Sequence, residues 1–316
     1  MLQLYKSRDF NLFFKDTFAF LKMHSAHFFK NLFLVNGFFM AVLIAMNYIF
    51  DAQIAELQAL GVIDPENGYE RFFNYLGQNA SDVSFYGFIY AIVAGFFGIL
   101  AYAYIPLYFK LYERHQGPNF TSKEISKELF ANLGRLVKFF LATILISIPL
   151  MFAASIVMGI MFLTIIGIPF TLFVVALLLL FYHSALMEYL KYEDKGIFDC
   201  YGYSLQLCLQ QFFPSIGAVG IFALIIGIFQ FTIGLLHVGI LYFLGISVVD
   251  DPTYLNDLDK TSFLFIIAFT LKIAMYVINF MTAAMIQTNL SMVYYGLKED
   301  RENIHTQNTI DSIGEN

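Results

Sequence analysis

Six apolar runs, near residues 32–50, 84–109, 139–162, 168–187, 212–246 and 262–296, constrain this chain more than any motif in it. A hydrocarbon core about 30 Å thick takes roughly 20 helical residues to cross, and each run approaches or exceeds that length. Stretches such as ALLLLFYHSALM and SIGAVGIFALIIGIF carry no period-two alternation. The expected fold is therefore all-α: a polytopic membrane protein with six transmembrane helices, not a closed barrel. Composition agrees, since 13% of the residues are charged against about 25% in a soluble domain. The first run follows some thirty amphipathic residues, too late for a cleavable signal peptide, so it is expected to be retained.

Charge sets an expected orientation. Lys6, Arg8, Lys15, Lys22 and Lys30 precede the first span; Lys110, Arg114, Lys123, Lys127, Arg135 and Lys138 lie between the second and third; Lys191, Lys195, Lys298 and Arg301 fall on the same side. The alternate loops hold Arg71 and Lys260. The positive-inside rule then places both termini in the cytoplasm. The outward loops are acidic, with Asp51, Glu56, Asp64, Glu66, Glu70 and Asp82 in the first and Asp250, Asp251, Asp257 and Asp259 in the third. They read as solvated surface.

Residues 9–30 place Phe10, Phe13, Phe14, Thr17, Phe18, Leu21 and Phe28 at helical spacing, with Asn11, Lys15, Lys22 and Lys30 opposite. That is an amphipathic helix whose basic face suits anionic inner-leaflet lipids, and Lys15, Lys22 and Lys30 are its expected interfacial anchors. Similar segments precede the third span, in TSKEISKELFANLGRLVKFF, where Thr121 and Glu124 form a capping box, and the fifth, in DCYGYSLQLCLQQFF. The expected organisation is one membrane domain, 1–297, made of three hairpins, each preceded by an interfacial helix. Its pseudo-repeats are about 9–110, 120–190 and 196–297, and a polar cytoplasmic tail follows at 298–316.

Spans five and six, about 35 residues each, would reach roughly 52 Å as helices, so their outward ends should tilt, break or project. Counting inward from the pinned ends puts Lys272 and His237 just beyond the outer boundary, near Gln230 and Asn279, where an ammonium can reach water. Lys272, His237 and Asn279 are thus polar positions of interest, with an interfacial anchor as the plain reading of Lys272. His183 and Glu188, near the inner end of span four, are the others; five apart, they do not share one helical face well. Pro149 should kink span three, Pro169 should open a helix after a tight outer turn, and Gly217, Gly220, Gly227, Gly234 and Gly239 should let helices approach span five closely.

Phosphate-loop, HExxH, GxSxG and CxxC signatures are absent from the sequence, which argues against the common enzymes. Cys200 and Cys208 are eight apart and read as packing residues. His24 and His27 could share a metal but lack a third donor nearby in sequence. No cofactor, metal or nucleic-acid partner is expected.

The segment ALMEYLKYEDKGIFDCYGYSLQLCLQQFFPSIGA resembles a pattern of bacterial six-helix integral membrane proteins related to the membrane domain of glycerophosphodiester phosphodiesterases. The pattern's acidic residue, Gly, Ser and aromatic correspond to Glu188, Gly196, Ser204 and Phe212. The resemblance implies a stand-alone membrane domain without the soluble phosphodiesterase domain, located in a bacterial cytoplasmic (inner) membrane. The leading expectation is a non-enzymatic scaffold or accessory subunit of a membrane complex, with membrane lipids and another membrane protein as partners. The alternative is a permease or flippase for a lipid or small amphiphile, with a cavity lined by Lys272, Asn279, His237 or His183.

Overall fold

The computed structural model describes residues 2–59, 68–164, 167–246, 254–255 and 258–305, without the side chains of 51–52, 54–59, 68–86 and 168–169. The acidic residues expected in the first outer loop, Asp250, Asp251 and Asp257 of the third, Arg71, Pro169 and the tail from 306 lie outside the described side chains. Among the described residues the chain forms eight α-helices and no strand: α1 (Phe10–Ala59), α2 (Gly68–Arg114), α3 (Ser122–Ala131), α4 (Leu133–Phe162), α5 (Gly167–Lys191), α6 (Ile197–Gln210), α7 (Phe212–Phe243) and α8 (Phe263–Glu302).

Six of these helices, all but α3 and α6, contain segments long and apolar enough to cross a membrane. The outward-facing side chains fit that reading. In α4 only 6% of the most apolar window is buried, and Leu141, Ile144, Leu145, Ile148, Met151 and Phe152 stand exposed. Such a continuous apolar flank is untenable in water and natural against lipid. The lengths of α7 and α8, 32 and 40 residues, correspond to about 48 and 60 Å, more than a bilayer core.

The chain divides into two compact units, Met1–Asn36 with Tyr102–Ile228 and Met281–Asn316, and Gly37–Ala101 with Phe229–Phe280. The second has a core of Leu241, Ile246, Tyr254, Leu255 and Ala268, against which Leu244, Phe265 and Phe269 pack. Gly245, at φ +79°, ends α7: its N–H donates to Tyr242 O and that of Ile246 to Leu241 O, both at 2.9 Å. This left-handed stop is one glycine adopts without strain.

In the first unit the opening of α1 differs from expectation. No separate surface helix turns into a span; α1 is one 50-residue helix. No glycine or proline interrupts it before Gly37, and much of its apolar side is covered by protein: Phe13, Thr17, Phe20 and Phe28 are fully buried, whereas Phe18 of the same stripe is exposed. Part of the cover, over Phe20, His24, His27 and Phe28, comes from tyrosines at four-residue intervals on α2, and α8 covers Phe13 and Thr17. Tyr104 OH donates to Phe28 O at 2.7 Å, Tyr108 OH meets His27 Nδ1 at 2.9 Å, and Tyr112 OH meets His24 Nε2 at 3.1 Å. His24 and His27 are thus docking groups for α2. Phe20 stacks on Phe109 with centroids 5.0 Å apart, a contact contributing about 0.5–1.5 kcal/mol beyond its buried area. Lys15, Lys22 and Lys30 are exposed on the opposite face.

The two short helices do stand apart from the spans that follow. Glu124 starts α3 by accepting the Thr121 N–H at 2.8 Å, and a single residue, Asn132, separates α3 from α4. Gln211 plays that part between α6 and α7. Of the glycines expected to admit close packing in α7, Gly220 meets Leu172 and Ala176 of α5 and Gly217 meets Phe10, whereas Gly227, Gly234 and Gly239 face open space. A close approach between helices distant in sequence is at Gly296 in α8, where an added Cβ would stand 2.8 Å from the ring of buried Phe13 of α1. Gly296→Ala is expected to lower stability by about 1–3 kcal/mol, read as a drop in the thermal midpoint of the detergent-solubilised protein, while Gly227→Ala leaves it unchanged.

Candidate functional site

The C-terminal end of α5 carries Glu188 and Lys191, followed closely by Tyr192 and Lys195; the end of α8 carries Tyr294, Tyr295, Lys298 and Glu302. Spacings of three and four residues set most of each group along one helix face. In the first unit these faces meet, joined by Glu113 from α2, Tyr203 from α6 and Tyr5 from the N-terminal segment.

Glu188 and Lys298 side chains are wholly removed from solvent and ion-paired to each other. Burying an isolated carboxylate is prohibitive unless its charge and lone pairs are met. Here they are: the Lys298 ammonium and Tyr294 OH, at 2.6 Å, donate to Oε1, and Lys195 donates to Oε2 at 2.9 Å. Lys298 also faces Glu302 at 3.6 Å and the rings of Tyr192 and Tyr203 at 4.7 and 4.9 Å, an arrangement that steadies a desolvated cation. Tyr203 OH closes the circuit on Glu302.

A second centre forms around Glu113, which accepts from Lys191 at 2.7 Å, Tyr295 OH at 3.1 Å and Tyr5 OH at 3.2 Å. Burial and the neighbouring Glu113 charge raise the Tyr5 phenol well above its ordinary value. Burial and the Glu188 charge push Tyr192 up to about 12, and burial with the hydrogen bond to Glu302 raises Tyr203. These phenols remain protonated donors. Nearby, Arg8, itself buried, staples the N-terminal segment: it donates to Asp16 Oδ2 at 2.8 Å, Leu4 O at 2.6 Å and Gln3 O at 2.7 Å.

Of the residues singled out from sequence, Glu188 stands at the centre of this network. His183, five residues earlier, is equally buried and makes separate contacts: Nδ1 with Tyr102 OH at 3.1 Å and Nε2 with Ser291 Oγ at 2.8 Å. Lys272, His237 and Asn279 belong to the second unit. There Lys272 lies 5.9 Å from the Tyr254 ring centroid, Asn279 is exposed, and His237 is partly buried with its Nε2 lacking a hydrogen-bond partner. Sequence reasoning missed Lys298, Lys191, Lys195, Glu113 and the tyrosines around them. It placed Lys298 at the start of a polar tail, but α8 continues to Glu302 and buries Lys298 completely. The available signal was the recurrence of Tyr, Lys and Glu at helical spacing at the ends of two apolar runs.

Among the described residues no three His, Cys, Asp or Glu side chains gather as a metal site. The thiols of Cys200 and Cys208 are buried and free; burial, with the Glu188 charge adding to it at Cys200, pushes them up to about 11 and 12. The saturated carboxylates, protonated phenols and covered thiols make an arrangement suited to fastening helix ends together. Of the other positions in the family resemblance, Gly196 caps α6, Ser204 Oγ donates to Phe181 O of α5 at 2.6 Å, and Phe212 opens α7. The chain matches no protein-family model, no curated protein and no solved structure.

Lys298→Met leaves Glu188 with Lys195 as its one cation, beside the Tyr294 hydroxyl, and is expected to cost about 3 kcal/mol, seen as a lower thermal midpoint; Glu188→Met added to it should recover most of the loss. Cys200 and Cys208 should resist maleimide at neutral pH in the folded protein and react fully once it is unfolded in dodecyl sulfate.

Proposed function

We propose that this chain is a multi-pass protein of a bacterial cytoplasmic membrane, with both termini cytoplasmic, that acts as a non-enzymatic scaffold or accessory subunit of a membrane complex. The observation that carries this reading is the closed polar joint of Glu188, Lys298, Glu113 and Lys191, in which the ions and phenols are committed to one another. A catalytic or proton-carrying group must be reachable and must change partners; these groups instead hold α2, α5, α6, α8 and the N-terminal segment in fixed register. The exposed sides of α3 and α6 then offer a firm surface to a partner. The basic residues at this end of the helices support the orientation. On the strength of Glu188, Gly196, Ser204 and Phe212, the same reading takes the chain as a relative of the six-helix proteins allied to the phosphodiesterase membrane domain.

A permease or flippase for a lipid or small amphiphile is the second reading. It draws on buried polar atoms without hydrogen-bond partners, namely the Asn36 amide, Ser184 Oγ, Gln287 Oε1 and Asn289 Oδ1 in the first unit, which a passing polar group or water could serve.

The scaffold reading predicts that the chain, cross-linked in native membranes and extracted in mild detergent, brings down another protein in fixed ratio. Recovery of the chain alone, together with lipid flux in reconstituted vesicles, would replace it with the second reading. Orientation is read with a membrane-impermeant maleimide on intact cells: Lys260→Cys should label and Lys123→Cys should label only after lysis. The reverse pattern contradicts the proposed topology.

A further inference from the structure

Beside the closed joint lies a cavity of about 590 Å³ bounded by the end of α2, by α3 and by the start of α4. Its volume falls in the range of small-molecule sites. Four permanent cations, Lys110, Arg114, Lys127 and Arg135, line it together with His115, against the carboxylates Glu124, Glu128 and Glu193.

The cations and carboxylates are not matched one to one. Lys110 at 3.4 Å and Arg114 at 2.6 Å converge on the single carboxylate of Glu128. Burial would raise the Glu128 pKa, and the two cations outweigh it and hold the carboxyl below its usual value. Glu124 is engaged at the start of α3 by the Thr121 N–H and hydroxyl. Three of the five guanidinium N–H donors of Arg135 go to neutral oxygens, those of Tyr189, Tyr192 and Asn132, which fixes the group while leaving donors for a ligand, and among the described residues it forms no ion pair. Lys127 is exposed and forms no ion pair among the described residues. The lining therefore carries positive charge in excess, held by fixed donors of the kind that bind phosphate oxygens.

What adjoins the cavity narrows the ligand further. Phe130, next to the lining residues of α3, is exposed, and from Leu141 onward α4 presents the uncovered apolar flank of Ile144, Leu145 and Ile148. Cationic cavity and apolar flank follow one another along the same helix. The geometry points to a binding site for the phosphate headgroup of an anionic phospholipid, seated among Lys127, Arg135 and Arg114, with its acyl chains along α4. Basic pockets at the cytoplasmic ends of membrane helices hold such headgroups by this chemistry. The inference rests on the membrane placement proposed above and is independent of the scaffold role.

The test uses the full chain in phosphatidylcholine nanodiscs titrated with short-chain phosphatidylglycerol, with bound lipid read by native mass spectrometry. Phosphatidylglycerol should be retained about tenfold more tightly than phosphatidylcholine. Lys127→Glu with Arg114→Gln should abolish that preference, and Lys260→Glu, exposed in the loop before α8 and outside the lining, should keep it. Should the double variant fail to fold, Lys127→Glu alone must still weaken phosphatidylglycerol retention. Equal retention of the two lipids, or equal loss with Lys260→Glu, overturns the site. In a second arm, sn-glycerol 3-phosphate is added to the protein in detergent. Saturable binding of that soluble anion in place of any lipid preference would reassign the cavity to a free phosphate and overturn the lipid.

Discussion

A carboxylate that loses its water must find a counter-charge and donors or give up its ionisation. Glu188 is the place where this chain meets that demand, and much of the first unit follows from how it does so. Its oxygens draw in Lys298 and Tyr294 from α8 and Lys195 from the segment before α6. Each partner fixes a backbone: α8 stays helical to Glu302 so that Lys298 can reach inward, and the turn after α5 folds back so that Lys195 can. The aromatic rings around these ammonium groups replace part of the lost hydration. Removing any one ion leaves the others exposed to the same demand, which makes the joint cooperative in construction.

Polar groups carry this burden because lipid offers helices no hydrophobic reason to associate. The apolar surfaces of α4 and α7 are left uncovered. Where helices of the first unit do grip one another, the contacts are hydrogen-bonded or close. Tyr104, Tyr108 and Tyr112 are spaced along α2 to meet α1; Asn289 donates to Thr17 at 3.1 Å; Gly296 admits Phe13. Tyrosine suits this work, since one end of the ring is apolar and the other is a donor.

The six apolar helices were legible because length and hydropathy alone decide whether a segment suits a membrane, and the start of α3 was legible because Thr121 and Glu124 are a local signal. Amphipathicity was misread at α1: a stripe of Phe looks the same whether lipid or a neighbouring helix covers it, and only residues far off in sequence, the tyrosines of α2 some eighty positions on and Asn289 and Gly296 of α8, settle the matter. Lys298 was misplaced for a related reason. A charge at the end of an apolar run reads as solvated, and nothing local to KEDRE announces a buried carboxylate 110 residues earlier. Glu188 and His183 were noticed as polar residues near a span, yet their separate partners on α8 could not be read from their own spacing.

The central claim is that the ends of α5 and α8 are one locked joint rather than a helix end beside a loose polar tail. Amide hydrogen exchange of the full chain in nanodiscs tests it most directly. The account predicts that 183–191 and 291–299 exchange slowly and together, and that both accelerate in concert when Lys298 is replaced. Fast exchange from residue 296 onward, with 183–191 still protected, would contradict it.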